Sequence, residues 1–304
     1  MSPYGCGRVG REGPRLDRSS RRGAVPGRAP QAGTARRSRA RVRISLLLIG
    51  SFAVAGLAWA GDLEPAPEGL DARDIAVRSE ESLRSDRMFL EAKMTVRASR
   101  LSRPRVLRFR SFADRTRRRT FIRIFEPPKQ AGTSFLLLYP NLWMRVPRDE
   151  RITRIPGARV SQPWMESDFS IDDLVGYTSE VDDYQHRILG IDPSPPGVGG
   201  LRAYVIEYRP RRTADTAWGR IVAWVETERG TPLRQEFYEA KDGLVRVLRY
   251  EDIRNVDGRF FPHVWILEHP GQKSRGTRVE VEKVRFDADF EDSVFTTTNL
   301  KSAH

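Results

Sequence analysis

The chain has 304 residues, with 53 Lys and Arg against 40 Asp and Glu, a formal net charge of +13, one Cys and four His. Twelve of the arginines and two of the acids fall in residues 1–60, so residues 61–304 hold 41 basic and 38 acidic residues and carry only about +3, which argues against nucleic acid as a partner. The single cysteine, Cys6, also precedes residue 60, which takes disulfides, thiolate nucleophiles and Cys-bound metal away from the rest of the chain.

Residues 1–40 are Arg, Gly, Pro and Ala with almost no large apolar side chains, a composition that cannot build a core. They read either as a basic arm or as sequence upstream of a true start near Val42. Arg41 and Arg43 then precede an apolar run over 44–57, and Ala58-Trp59-Ala60 fits the small-residue rule for signal cleavage. The expectation is a secretory signal cut after Ala60, a periplasmic protein beginning at Gly61, and no lipidation, because no cysteine follows the run; an uncleaved anchor is the alternative. The division expected is a leader over 1–60 and one domain over 61–304.

From residue 70 the pattern becomes regular. Ala72, Ile75, Ala76, Ser79 and Leu83 fall on one face of a helix predicted over 70–86. Strict alternation over 88–98 and again over 106–112 predicts two strands joined by a turn at Ser102-Arg103-Pro104. Alternation continues over 121–125 until Pro127 and Pro128 stop it; 135–139 is apolar on both faces; Leu142, Met144 and Val146 alternate with Trp143 and Arg145; and 152–155 follows a reversal at Pro147-Arg148-Asp149. The next residues, Ser161-Gln162-Pro163-Trp164-Met165-Glu166-Ser167-Asp168-Phe169, form a predicted loop with three large apolar side chains. Ser170 and Asp173 have the spacing of a capping box ahead of a short helix that Gly176 ends. Strands are then predicted over 184–191, 201–208, 220–226, 233–239, 244–253, 260–269 and 277–286, separated by turns such as Asp242-Gly243 and Asp257-Gly258. A short turn or helix over 292–300 closes the chain.

These elements amount to one mainly β domain of α+β class, about eleven antiparallel strands in a strongly curved sheet with a helix against its concave face. The stretch from FEPPKQAGTSFL through LWMRVPRDERITRIP to SDFSIDDLV resembles the outer-membrane lipoprotein-sorting family, the LolA-like proteins of the bacterial envelope, and the likeness extends more weakly over 71–300, ending in FEDSVFTTTNL. The resemblance implies an unclosed antiparallel β half-barrel capped by short helices, with acyl chains held between its concave face and this helical lid. It further implies lipid or lipoprotein cargo, transient membrane contact and an inner-membrane RND-type transporter as partner.

Strand parity nominates Leu90, Met94, Ile122, Ile124, Leu137, Met144, Trp224 and Phe237 as the cavity lining, and Trp164, Met165 and Phe169 as a gate hinged near Gly157. The bland reading of the three gate residues is a plug for the core edge. Glu166, Asp168, Asp172 and Asp173 form an acidic cluster that helix capping largely explains, with recognition of a basic partner as the second reading. His263 and His269 are too far apart along a strand to share a metal, and no Gly-x-Ser-x-Gly elbow or phosphate loop occurs, so neither enzyme, cofactor nor metal is expected. Basic patches at 115–119 and 209–212 read as solvated edges or as contacts to anionic lipid heads. A lipid carrier leads; an envelope-stress sensor of similar half-barrel fold, binding a regulator, and a filled structural domain are the alternatives.

Overall fold

Alternation in residues 88–96 seats the middle of the sheet. In the computed structural model, which describes residues 63–98, 101–149, 151–197, 200–214 and 216–302, Met88, Leu90, Ala92, Met94 and Val96 of β1 (Arg87–Arg97) turn to one face and are buried. Strand β1 pairs with β2 (Arg105–Asp114) on one side and with β13 (Gly276–Phe286) on the other, so two meanders run outward from it. One passes through β3 (Arg119–Glu126), β4 (Ser134–Leu138) and β5 (Asn141–Arg145) to β6 (Ile152–Ile155). The other passes through β12 (Arg259–Glu268), β11 (Leu244–Val256), β10 (Pro232–Tyr238), β9 (Arg220–Glu226) and β8 (Ala203–Pro210) to β7 (Tyr184–Asp192). The result is a thirteen-stranded antiparallel sheet with β6 and β7 as its two edges, so it does not close into a barrel. Each run expected from sequence forms a strand, and thirteen replaces the total of about eleven.

Asp71 accepts the Arg73 N–H at 2.7 Å and starts α1 (Ala72–Leu83), whose buried face is Ala72, Ile75, Ala76 and Ser79. This one helix touches β7, β9 and β12. Strands β12 and β7 are five ladder steps apart, roughly 24 Å in a flat sheet at ~4.8 Å per step, whereas a twelve-residue helix is only about 18 Å long. The sheet must therefore curl around the helix. The face that carries α1 is the concave one, and the main core lies on it.

The outer face is covered in two places. Phe295 and Leu300, the latter in α3 (Thr297–Lys301), pack with Phe121 and Leu136 of β3 and β4. At the other end Ala203, Val205, Val222, Trp224, Leu233 and Tyr238 form a separate apolar cluster with Leu63 and Leu189 beside it. There Glu64 exchanges two 2.8 Å backbone bonds with Ile191. Its carbonyl would lie 2.8 Å from a Cβ on Gly190, so only glycine admits that close approach to edge strand β7.

The described residues belong to one compact unit, Ala55–His304. The leader, the cleavage point and Cys6 lie outside the described residues. Among the described residues no helix is long and apolar enough to cross a membrane.

Candidate functional site

The concave face brings together seven of the eight nominated lining residues. Leu90, Met94, Ile122, Ile124, Leu137 and Phe237 are buried in one cluster, and Met144 packs against it while partly exposed. Trp224 does not join them. It pairs across the ladder with Arg234, while Phe237 pairs with Ile221, so the two are of opposite parity; Trp224 faces outward and donates its indole N–H to Asp192 at 3.1 Å. All seven residues of β9 are buried, and a strand covered on both sides offers no alternation from which to read its face.

The space above this face is filled by the segment expected to be the gate. Trp164 is completely buried, edge-on to Phe109 with ring centroids 5.2 Å apart and tilted against Phe135 at 5.8 Å; Phe169 is 2% exposed, and Met165 is partly buried. The loop closes on itself where the Trp164 N–H donates to the Phe169 carbonyl at 2.7 Å and the Ile171 N–H to Gln162 at 3.0 Å. At its tip Met165 and Glu166 have φ of 48° and 59°, a left-handed conformation costly for side chains with a Cβ. The Trp164 indole N–H is buried with no acceptor among the described residues. Gly157, the expected hinge, is tightly packed: a Cβ there would lie 2.9 Å from the Tyr177 hydroxyl.

Polar clasps hold the segment down. Asp168 accepts from His269 Nε2 at 2.9 Å, Arg275 Nε at 2.6 Å and Thr277 Oγ1 at 2.7 Å, all from the β12–β13 hairpin region. Arg105 of β2 donates to the Met165 carbonyl and to Glu166 at 3.2 Å. Then comes α2 (Ile171–Val175), with the capping box complete: the Asp173 N–H donates to Ser170 Oγ at 3.1 Å, the Ser170 N–H to Asp173 Oδ2 at 2.7 Å, and Gly176 turns left-handed behind it. The four acids of this region thus serve separate partners. Asp172 accepts from the Thr178 N–H at 2.8 Å, and Asp173 also faces Arg246.

Arg246 of β11 is the main feature that sequence reasoning missed. It donates to both carboxylate oxygens of Asp173, at 2.7 and 2.8 Å, and its guanidinium lies 4.2 Å from the Phe237 ring centroid and 4.4 Å from that of Trp218. Burial alone would raise the pKa of Asp173, but the Arg246 charge and the Ser170 donor outweigh it and hold the carboxyl below its ordinary value. In residues 244–250, Arg246 shares parity with Leu248 and Tyr250, and Arg249 with Val245 and Val247. Neither face reads as polar, so alternation gave no signal.

Beside this pair, Gln235 donates to Glu180 at 2.8 Å and accepts from the Tyr250 hydroxyl at 3.0 Å. Desolvation pushes the Glu180 carboxyl up to about 7, against the opposing pull of Arg84 and of the Gln235 bond. Between its ordinary value of 4.5 and about 7 the folded protein therefore holds a proton that the unfolded chain has released. The contribution to stability is full below 4.5 and is lost as pH rises through 7, with an upper limit of about 3 kcal/mol. Burial lowers the pKa of nearby His186, which acts in the opposite sense. Glu180→Gln should accordingly flatten the fall in melting temperature between about pH 5 and pH 8. Parallel profiles for variant and parent would disprove the assignment.

The two histidines of the β12 region and most arginines of the basic patches have partners within the fold. Both ring nitrogens of His269 face partners within the fold, Nδ1 the Val245 carbonyl at 3.0 Å and Nε2 Asp168 at 2.9 Å. His263 faces the Phe261 carbonyl at 3.1 Å. Among the described residues no group of three or more His, Cys, Asp or Glu could hold a metal ion. The basic patches are largely paired: Arg115 with Asp86, Arg117 and Arg119 with Asp292, and Arg209 with Glu207. A shallow hollow of about 420 Å³ opens beside β5 and β6, lined by Met144, Val146, Asp149, Arg151 and Thr153.

Comparison with known proteins agrees with this architecture. A family model described as an uncharacterized-protein-like family matches residues 116–302. A DUF1329 family protein from Desulfovibrio piger superposes with a TM-score of 0.67 at 23% identity, over 75% of this chain and 97% of that one. An outer membrane lipoprotein-sorting protein domain assigned in Vibrio parahaemolyticus gives 0.65 at 21% identity, over 76% and 98%. A LolA superfamily protein from Nitrosomonas europaea gives 0.62 at 19%, over 76% and 99%. No curated protein matches the sequence.

Proposed function

The chain belongs to the uncharacterized-protein-like family whose model spans residues 116–302 and has the LolA-like fold, and from that premise we propose that it is a periplasmic carrier of lipid or lipoprotein acyl chains, moving them between inner and outer membrane. In this reading an inner-membrane exporter of RND type supplies the cargo, and residues 1–60 direct export. The observation that carries it is the filling of the concave face. Its lining is apolar strand residues, but its contents come from one loop that closes on itself, has a left-handed tip and buries an unpaired indole N–H. An acyl chain offers the same lining the same contacts. Burial gains ~0.8 kcal/mol per methylene, so ten sheltered methylenes supply roughly 8 kcal/mol before ordering costs.

Native mass spectrometry of protein purified from the periplasm tests the reading, with co-purified lipid as the expected result and protein that neither carries lipid nor takes up oleate as the refuting one. The lining is probed best at Met144, since Met94 and Ile124 are fully buried and a larger side chain there would overpack the closed form. Met144→Trp should displace about two methylenes of cargo, ~1.6 kcal/mol or on the order of tenfold in acyl-probe affinity. Unchanged affinity would place the acyl chains elsewhere.

A further inference from the structure

Arg246 is a cation buried on the apolar concave face. Its side chain is 3% exposed, its guanidinium lies 4.4 Å and 4.2 Å from the adjoining Trp218 and Phe237 rings, and its Nε is buried without an acceptor. A guanidinium cannot shed its charge when buried, so it must stay paired. Its carboxylate partner is not on the sheet. Asp173 belongs to α2, in the same segment as the loop that fills the cavity, and the Asp168 carbonyl of that loop approaches Arg246 Nη1 at 3.5 Å. The contrast with Arg220 is informative. That residue, also buried, faces outward and pairs with Glu207 of the adjacent strand at 3.8 Å and with Asp242 of the β10–β11 turn at 3.2 Å. Those partners sit on a strand of the sheet and on a turn between two strands, whereas Asp173 sits on the segment that covers the sheet.

We infer that Asp173 is an internal stand-in for the head group of the cargo, and that Arg246, walled by Trp218 and Phe237, receives an oxyanion in its place. The cargo is then an amphiphile whose acyl chain ends in a carboxylate or a phosphate, and its head takes over the bidentate contact as α2 moves away. The charge around Arg246 is balanced in both states. The Trp218 and Phe237 rings, with centroids 5.2 Å apart, cover the guanidinium from one side, and its two outer nitrogens present a fork suited to two oxygens. This inference rests on the carrier reading and adds the class of ligand to it.

The test compares oleate, oleyl phosphate and oleyl alcohol, which share one chain, by titrating the full-length exported protein after delipidation and following tryptophan fluorescence. The two anions should bind at least about tenfold tighter than the alcohol, the least expected of a charge-assisted bidentate contact, and the tighter of the two identifies the head group as carboxylate or phosphate. Arg246→Gln should bring the three affinities together. Asp173→Asn keeps the size of the side chain but removes the competing charge, so it should strengthen binding of both anions while leaving the order of preference intact. Should Arg246→Gln not fold, the wild-type preference and the Asp173→Asn shift decide. Equal affinities for all three probes in the wild-type protein would overturn the inference and leave the carrier reading standing; no binding of any probe would overturn both.

Discussion

Changing Asp173 to alanine is expected to remove about 3–5 kcal/mol from the unfolding free energy, measured by urea denaturation at neutral pH. The substitution strands Arg246, 3% exposed and stacked on two rings, without its counter-charge, and that term dominates. Loss of the capping-box contact to the Ser170 N–H adds about 1 kcal/mol at most. The loss should be largely reversed by Arg246→Met in the same chain, because an apolar side chain of similar length needs no partner there. In the parent the benefit of the pair is present above the ordinary carboxylate range. It disappears as acid protonates Asp173 below its ordinary value, since the folded-state pKa is depressed. A loss below about 1 kcal/mol in Asp173→Ala would mean that the pair behaves as a surface salt bridge.

The same pair shows where reading the sequence succeeds and where it stops. Local rules suffice for the strands, because alternation in residues 88–96 and turn dipeptides such as Asp242-Gly243 are statements about neighbours in the chain. The capping box at Ser170 and Asp173 was legible for that reason, down to its Gly176 stop. That Asp173 has a second task depends on Arg246, 73 residues away, which reaches it only because the sheet curls. The clasp on Asp168 is similar. Its donors lie more than 100 residues downstream, in a hairpin whose turn was readable and whose target was not. Trp224 failed for another reason: β9 is buried on both faces, and only its register against β10 shows which way the indole points.

Replacing Trp164 and Phe169 together with serine should speed release of a fluorescent acyl probe by more than tenfold while lowering the melting temperature no more than Asp173→Ala does. The argument is one of magnitudes. Two large side chains in a fixed core cost about 3–5 kcal/mol each on truncation, which would consume most of the 5–15 kcal/mol that stabilises a typical domain. A lid behaves differently, because its removal costs no more than the free energy of closing. Burying the two rings gains ~1.5–3 kcal/mol apiece. Against this stand the orphaned Trp164 N–H, at about 1–3 kcal/mol, and the left-handed Met165 and Glu166, at about 1–2 kcal/mol each. The terms nearly cancel before the clasps on Asp168 and Asp173 are added, which leaves those polar contacts, and not the aromatic packing, to decide whether the segment stays down. On the carrier reading, cargo that supplies both an acyl chain and an anion displaces a segment so balanced. The serine variant is therefore expected to gain more from added oleate, in degrees of melting temperature, than the parent does, because the ligand fills the space the rings have left. A collapse of stability with probe release unaltered would identify the two rings as permanent core and end the case for a gate.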